Sequence, residues 1–222
     1  SELPEDPAEY LEYLYTLNLF ETNSFSDEDK ERTKLYQIEA QRVVTKQKFT
    51  NEDDFLKSLD MISVVASFTK FNIPRVAQLS QRSNQFNLRT VRYTESDIEN
   101  LAKSNDYVTF AFTLEDKFGD NGLIAVVVLK KNSETDLFIE SWFMSCRVLK
   151  RGMENFMLNT LVTYAKTNGF ERIIGEYIPT PKNEIVKDHY QNLGFEQEND
   201  FWFLPLKAYK ERTNYITLKL QE

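Results

Sequence analysis

One cysteine, one histidine and only six glycines stand among the 222 residues of this chain. The lone Cys146 rules out an internal disulfide framework and makes a reducing cytoplasm the expected compartment. The lone His189 has no companion for an H-E-x-x-H pair, and no C-x-x-C spacing occurs, so no structural metal is expected. No apolar run approaches the roughly 20 residues that a membrane span needs, and no charged-then-apolar leader opens the chain. A membrane role is therefore not expected. The net charge of −8 also argues against non-specific nucleic-acid binding, which depends on Lys and Arg neutralising phosphates. It leaves room for a local basic pocket.

Aromatic residues are plentiful instead. Seventeen Phe and eleven Tyr supply burial that offsets chain entropy, so the chain reads as folded and globular. Its length suits one substantial core plus an appendage, or two small domains. Residues 1–60 are charged, helical in pattern and free of glycine. Asp6-Pro7-Ala8-Glu9 and Ser26-Asp-Glu-Asp29 read as helix starts, and Thr50-Asn-Glu-Asp53 caps a third, short helix. From residue 61 to 222, strand and helix patterns alternate. Strands are expected over 62–68, 107–114, 123–130, 137–145, 172–177, 201–206 and 215–220. Helices are expected over 73–85, after Thr94, from Met153 to a stop at Asn168-Gly169, and over 184–192. Periodicity alone gives an α+β chain with a mostly antiparallel central sheet flanked by helices.

Five features carry chemical possibilities. The turn Arg147-Val-Leu-Lys-Arg-Gly152 is basic and opens the long helix, whose N-terminus favours an anion. Glu154 in the first helical turn opposes that use, and an acid-capped helix is an equal reading. Arg147, Lys150 and Arg151 could hold a single phosphate or simply pair with Glu154. Cys146 lies at a strand end beside these cations, which suits either a reactive thiol or a small buried filler. The run Ser83-Asn-Gln-Phe-Asn87 sets three amides around one Phe. Asn84, Gln85 and Asn87 can bind a carbonyl or hydroxyl-bearing group, or an Asn can end the preceding helix. Tyr190 and Asn183 read as core and helix cap by position. Asp116-Lys-Phe-Gly-Asp120 is turn chemistry without Ca²⁺-loop spacing.

The element order and the ending Tyr190-Gln-Asn-Leu-Gly-Phe195 resemble the acyl-CoA-binding half of the GNAT N-acyltransferase fold. That resemblance implies a pyrophosphate on the turn before the long helix, held by an [RQ]-x-x-G-x-[GA] loop. Here Gly152 matches, Leu149 stands for Arg or Gln, and Glu154 stands for Gly or Ala. It also implies Tyr190 as the donor of a proton to a leaving thiolate, and Asn183 as a contact for a pantetheine arm.

Six segments together resemble the FkbH-like family: Leu3-Pro-Glu-Asp-Pro7, Arg75-Val-Ala-Gln-Leu79, Gln81 to Leu88, Asp116 to Asp120, Ser145 to Glu154 and Gly175-Glu-Tyr-Ile-Pro-Thr180. The altered turn is similar to that family's own. Such proteins carry a haloacid dehalogenase-like (HAD) domain with an aspartate nucleophile motif, which does not occur in this sequence. The resemblance implies that residues 1–60 form a helical connector after a HAD domain and that 61–222 form a GNAT-like domain. It implies acyl transfer of a glyceryl type, to or from the phosphopantetheine thiol of an acyl carrier protein. The implied partners are that carrier and the HAD domain of the same polypeptide. Cys146 and Tyr190 would serve transfer, while Arg147, Arg151, Gly152, Glu154, Asn84, Gln85, Asn87, Thr180 and Asn183 would contact a phosphopantetheine or coenzyme A thioester. No cofactor is required within the chain. Two alternatives stand beside this reading: an acetyl-CoA-dependent N-acetyltransferase, and a non-catalytic module that docks the carrier.

Overall fold

The computed structural model describes residues 38–219. The helix starts expected at Asp6 and Ser26 lie outside the described residues, as do residues 220–222. The chain divides into two compact units, Ser1–Lys48 and Phe49–Glu222. In the first, residues 38–46 are helical.

The second unit opens with helix α1 (Glu52–Lys57), whose N-cap Asn51 accepts a hydrogen bond from the Asp53 N–H. Phe55 on this helix and Leu59 just after it are buried in the main core, so α1 packs as part of this unit. Eight strands follow: β1 (Met61–Ala66), β2 (Tyr107–Asp116), β3 (Gly119–Lys131), β4 (Asp136–Met144), β5 (Arg172–Glu176), β6 (Glu196–Glu198), β7 (Phe201–Pro205) and β8 (Ile216–Lys219). They form one sheet in the order β6-β7-β5-β4-β3-β2-β1-β8. All neighbours are antiparallel except β4 with β5 and β1 with β8.

Alternation along the strands divides the burial between two layers. Phe110, Phe112 and Leu114 of β2, with Ala125, Val127 and Leu129 of β3, face helix α4 (Met153–Thr167) through Phe156, Met157 and Leu161. Ala111 of β2, Val126 and Val128 of β3 and Phe143 of β4 face the other way. They meet α2 (Ile73–Arg82) through Val76 and Leu79, and α3 (Glu95–Lys103) through Ile98. Thr94 starts α3 with a reciprocal capping box to Asp97.

Three elements depart from the sequence pattern. The residues expected as a long hairpin loop at 115–122 mostly continue the two strands, with Asp116 paired to Gly119. The helix expected over 184–192 is two short pieces, a 3-10 turn Glu184–Val186 and α5 (His189–Asn192). Its expected cap, Asn183, leaves the first turn uncapped because its side chain is engaged elsewhere. The last strand, β8, adds to the sheet edge in parallel with β1. The segment leading to it lies against α4, where Asn155 donates to the Thr213 carbonyl and Asn159 to the Arg212 carbonyl.

Candidate functional site

Strands β4 and β5 pair only from Asp136↔Arg172 to Phe138↔Ile174. Beyond that point they part, leaving a wedge with unpaired backbone groups on both strands. Residues 86–88 fill it. The Met144 N–H donates to the Phe86 carbonyl at 3.0 Å, and the Leu88 N–H donates to the Trp142 carbonyl at 3.2 Å. On the other side the Ile178 N–H donates to the Leu88 carbonyl at 2.9 Å. Arg89 locks the insertion: its guanidinium donates to Glu140 on β4 at 2.9 Å and to Glu176 on β5 at 2.7 Å. Burial works against the Arg89 charge, but the two carboxylates outweigh it and raise its pKa.

Asn87 and Asn183 belong to this insertion. Asn183 is wholly buried. Its Oδ1 accepts from the Thr180 N–H at 2.7 Å, and its Nδ2 donates to the Asn87 carbonyl at 2.9 Å and to the Ile178 carbonyl at 3.0 Å. Asn87 Oδ1 accepts from the Thr90 N–H at 2.9 Å. The expectation that these amides, with Thr180, contact an acyl group or a pantetheine arm is corrected for Asn87 and Asn183. Their polar atoms are spent on holding the loop.

Tyr190 is the second correction. Its ring is 1% exposed and rests on the Gly175 backbone. Its hydroxyl is buried against the Glu176 backbone, and burial raises its pKa far above the ordinary tyrosine value. It does not line the cavity described below. The Tyr190 phenol thus stands in the core and not at the cavity. His189 beside it packs edge-on between Phe86 and Trp142, and burial lowers its pKa to about 3. Neither His189 Nε2 nor Trp142 Nε1 has a hydrogen-bond partner.

The turn before α4 is tightly curled, with Lys150 at φ 63° and Gly152 at φ 78°. Gly152 supplies the left-handed backbone that other residues adopt only with strain. Arg151 is buried. It donates to Asp116 at 3.3 Å and to the Arg147 carbonyl at 2.8 Å, tying the turn to the β2–β3 hairpin. The expectation that Arg151 contacts a phosphate is therefore corrected: its guanidinium points into protein. Glu154 is half-buried. Burial raises its pKa, while its own N–H and that of Lys150 pull it down. The Glu154 carboxylate thus takes the place at the helix N-terminus that an external anion would occupy. Asn214 lies against Gly152 on the adjoining side, 3.7 Å from where a Gly152 Cβ would stand.

Next to this closed turn lies a cavity of about 600 Å³. Arg75, Leu79, Arg82 and Ser83 reach it from α2 and its end, and Asn84, Gln85 and Phe86 from the following loop. Met144, Ser145, Cys146 and Arg147 reach it from the end of β4, and Pro181 and Lys182 from the loop after β5. Among these described residues four side chains are cationic and none is a carboxylate. Among the described residues, Arg147 and Lys182 make no ion pair. Cys146 is exposed. Of the residues singled out in the sequence, Cys146, Arg147, Asn84 and Gln85 meet here. Asn84 Oδ1 also accepts from Arg92. Arg75, Arg82 and Lys182 were given no site role by sequence reasoning, and Ser83 stood only as the start of the amide run. The seven-residue spacing of Arg75 and Arg82, which returns a helix to nearly the same side, was the available signal.

Among the described residues no cluster of His, Cys, Asp and Glu could hold a metal ion, and no helix is long and apolar enough to cross a membrane.

Solved structures share this architecture. A spermidine N-acetyltransferase chimera from Vibrio cholerae and hSSAT matches with a TM-score of 0.53 at 13% identity, over 68% of this chain and 99% of that one. A ribosomal-protein-alanine N-acetyltransferase from Escherichia coli matches with a TM-score of 0.51 at 14% identity, over 68% and 99%. A spermidine N-acetyltransferase from Vibrio cholerae, in complex with CoA and spermine, matches with a TM-score of 0.50 at 13% identity, over 65% and 95%. No protein-family model and no curated protein matches the sequence. The second unit therefore has the GNAT acetyltransferase fold, a mixed α/β architecture around a mostly antiparallel sheet.

The turn before α4 opposes the pyrophosphate of coenzyme A, which would meet the Glu154 carboxylate there. A pantetheine arm, whether of coenzyme A or of a carrier, would find the strand-like hydrogen bonds of the β4–β5 wedge already taken by residues 86–88.

Proposed function

We propose that the second unit takes part in acyl transfer to or from the phosphopantetheine thiol of an acyl carrier protein, as the C-terminal part of an FkbH-like protein. In that reading a glyceryl-type group is prepared by the HAD domain of the same polypeptide. The observation that carries the proposal is the cavity whose described lining residues include four cations, no carboxylate and an exposed cysteine. The arm of a carrier ends in one phosphodiester, which suits Arg147 and Lys182 better than a pyrophosphate suits the turn held by Glu154. Asn84 and Gln85 offer amide groups to the arm or the acyl end.

Transfer through Cys146 balances simply. Its thiolate attacks the thioester carbonyl, a new C–S bond forms, and the C–S bond to the arm breaks. The arm leaves as a thiolate and takes up the proton that Cys146 released. A second thiol reverses the sequence.

The test is a transfer assay on the full-length protein, with titrations of holo-carrier and of CoA. Holo-carrier is expected to bind saturably, with CoA at least tenfold weaker. Cys146→Ala is expected to abolish transfer, and Arg147→Ala to weaken carrier binding by about tenfold, the worth of one charge-assisted hydrogen bond. Tight CoA binding without carrier binding would overturn the proposal and restore the N-acetyltransferase alternative. The burial of Tyr190 favours a second reading, because it leaves the cavity without the expected proton donor. In that reading the unit only docks the carrier. Cys146→Ala would then leave transfer intact while Arg147→Ala would not.

A further inference from the structure

Residues 86–88 occupy the β4–β5 wedge as a strap and not as a strand. Their pairing with β4 is a single isolated bridge, Asn87↔Phe143, flanked by the hydrogen bonds to Met144 and Trp142. One further bond, from the Ile178 N–H to the Leu88 carbonyl, reaches the β5 side. Arg89 then latches the strap between Glu140 and Glu176. All three latch side chains are partly open to solvent, at 19%, 25% and 22% exposure. Solvent weakens such pairs relative to buried ones.

Closure carries a cost at each end of the strap. Thr90, next to the latch, stands at φ 56°, held by a hydrogen bond to Asn87 Oδ1. A β-branched residue adopts that left-handed backbone only under constraint. At the other end Phe86 packs edge-on against His189, and His189 edge-on against Trp142. His189 Nε2 and Trp142 Nε1 are sealed there with no hydrogen-bond partner among the described residues. Buried polar atoms left unpaired favour any rearrangement that wets or pairs them. Against these costs stand the burial of Phe86 and Leu88 and the Asn183 bond to the Asn87 carbonyl, which keep the free protein closed.

Beneath the strap lies the edge an arm would use. The Trp142 carbonyl and the Met144 N–H face the wedge, and Cys146, two residues further on, lines the cavity. A pantetheine arm carries amides along an extended chain. Laid in the strap's place, it offers the same donor and acceptor to β4 beside Cys146.

We propose that residues 86–90 are an autoinhibitory strap, which stands in for the arm in the free protein and is displaced when a carrier docks. The proposal rests on the carrier reading above and names how that site is regulated. A free arm meets the closed latch unaided. A carrier protein adds contacts of its own, and these offset the cost of lifting Phe86 and Leu88.

The experiment measures amide hydrogen exchange on the full-length protein, alone and saturated with holo-carrier. On displacement the Leu88 and Ile178 amides lose their acceptors, and their protection is expected to fall by about tenfold or more. Met144 is expected to stay protected, because the arm replaces the Phe86 carbonyl. In parallel, S-acetylpantetheine is titrated into the wild type and Arg89→Ala. Loss of the latch's charge-assisted hydrogen bonds is expected to tighten its binding by about tenfold or more. Unchanged protection at Leu88 and Ile178 in the carrier complex, or equal affinity in a folded Arg89→Ala, overturns the proposal. The strap is then a fixed part of the core, while carrier binding stands. If Arg89→Ala loses cooperative unfolding, exchange in the wild type decides alone. Absence of holo-carrier binding to either protein overturns the proposal and removes the underlying carrier reading as well.

Discussion

The turn before α4 and the cavity beside it are built from adjacent residues and treat charge in opposite ways. On the turn, the protein's own Glu154 answers the positive end of the helix, and Asp116 answers Arg151. In the cavity, cations from three elements gather, and no carboxylate stands among the described lining residues. Arg147 stands at the join: its carbonyl accepts from the buried Arg151, while its side chain lines the cavity. The difference separates a scaffold's inherited geometry from its working surface. Where a fold provides an anion site and the chain fills it, the neighbouring unfilled positive space is the better guide to a ligand.

The largest way to break the comparison is to break the closed side. A Cβ added at Gly175 would stand 2.4 Å from Tyr190 Cε1 and Cζ. The ring cannot retreat, because it is boxed by Phe195, His189 and Trp202 at centroid distances of 5.0, 5.7 and 6.1 Å. Gly175→Ala is therefore expected to cost about 1–3 kcal/mol, the usual range for overpacking, in a chemical denaturation experiment. Adding Tyr190→Leu should recover part of that loss, since the two changes share one space and are not additive. Full additivity would show that Tyr190 does not depend on the Gly175 backbone.

The same residues show how far the sequence could be read. The long apolar face of α4 and the capping box at Thr94 were legible because each is local, fixed by helix period or by cap spacing. Cys146, Arg147, Asn84 and Gln85 were legible as chemistry, and the fold does bring them to one cavity. The wedge was not legible. Phe86, Asn87 and Leu88 follow a strand's alternation for only three residues, too short to distinguish from a loop. Their partners on β4 lie more than fifty positions away. Arg151 was misjudged for the same reason: its partner Asp116 is thirty-five residues upstream, and only folding reveals that the charge is already satisfied. Asn183 looked like a cap because its spacing allowed one, but long-range acceptors won its side chain.

A middle-sized effect comes from His189, under the wedge. Burial lowers its pKa from 6.5 to about 3, so the native protein holds it neutral where the unfolded chain would bind a proton. The unfolded state binds more protons between these values, so this contribution to stability is whole above pH 6.5. It falls as pH drops toward about 3, by at most ~1.4 kcal/mol per pH unit for one group. Denaturation measured across this range should show the decline in the wild type and a flatter curve in His189→Leu. Parallel curves for the two proteins would place a proton on His189 in the native state. The wedge would then be wetter than its packing implies.

The smallest effect, and the sharpest test of the contrast, belongs to Glu154. Its pKa is raised by burial, so its linkage has the opposite sign to that of His189. Protonated Glu154 is favoured in the native state. Its contribution is therefore fully present below the ordinary value of 4.5 and declines as pH rises through the raised folded value. Glu154→Gln keeps the shape and removes the charge. It should change stability by less than about 1 kcal/mol, with the difference from wild type moving in the variant's favour as pH rises past 4.5. It should not create a CoA site, because residues 86–88 still close the wedge and Asn214 still lies against Gly152. If the variant instead gains micromolar affinity for CoA in a titration, one carboxylate alone was keeping the cofactor out. The turn and the cavity would then be two parts of one coenzyme track, not a filled site beside an open one.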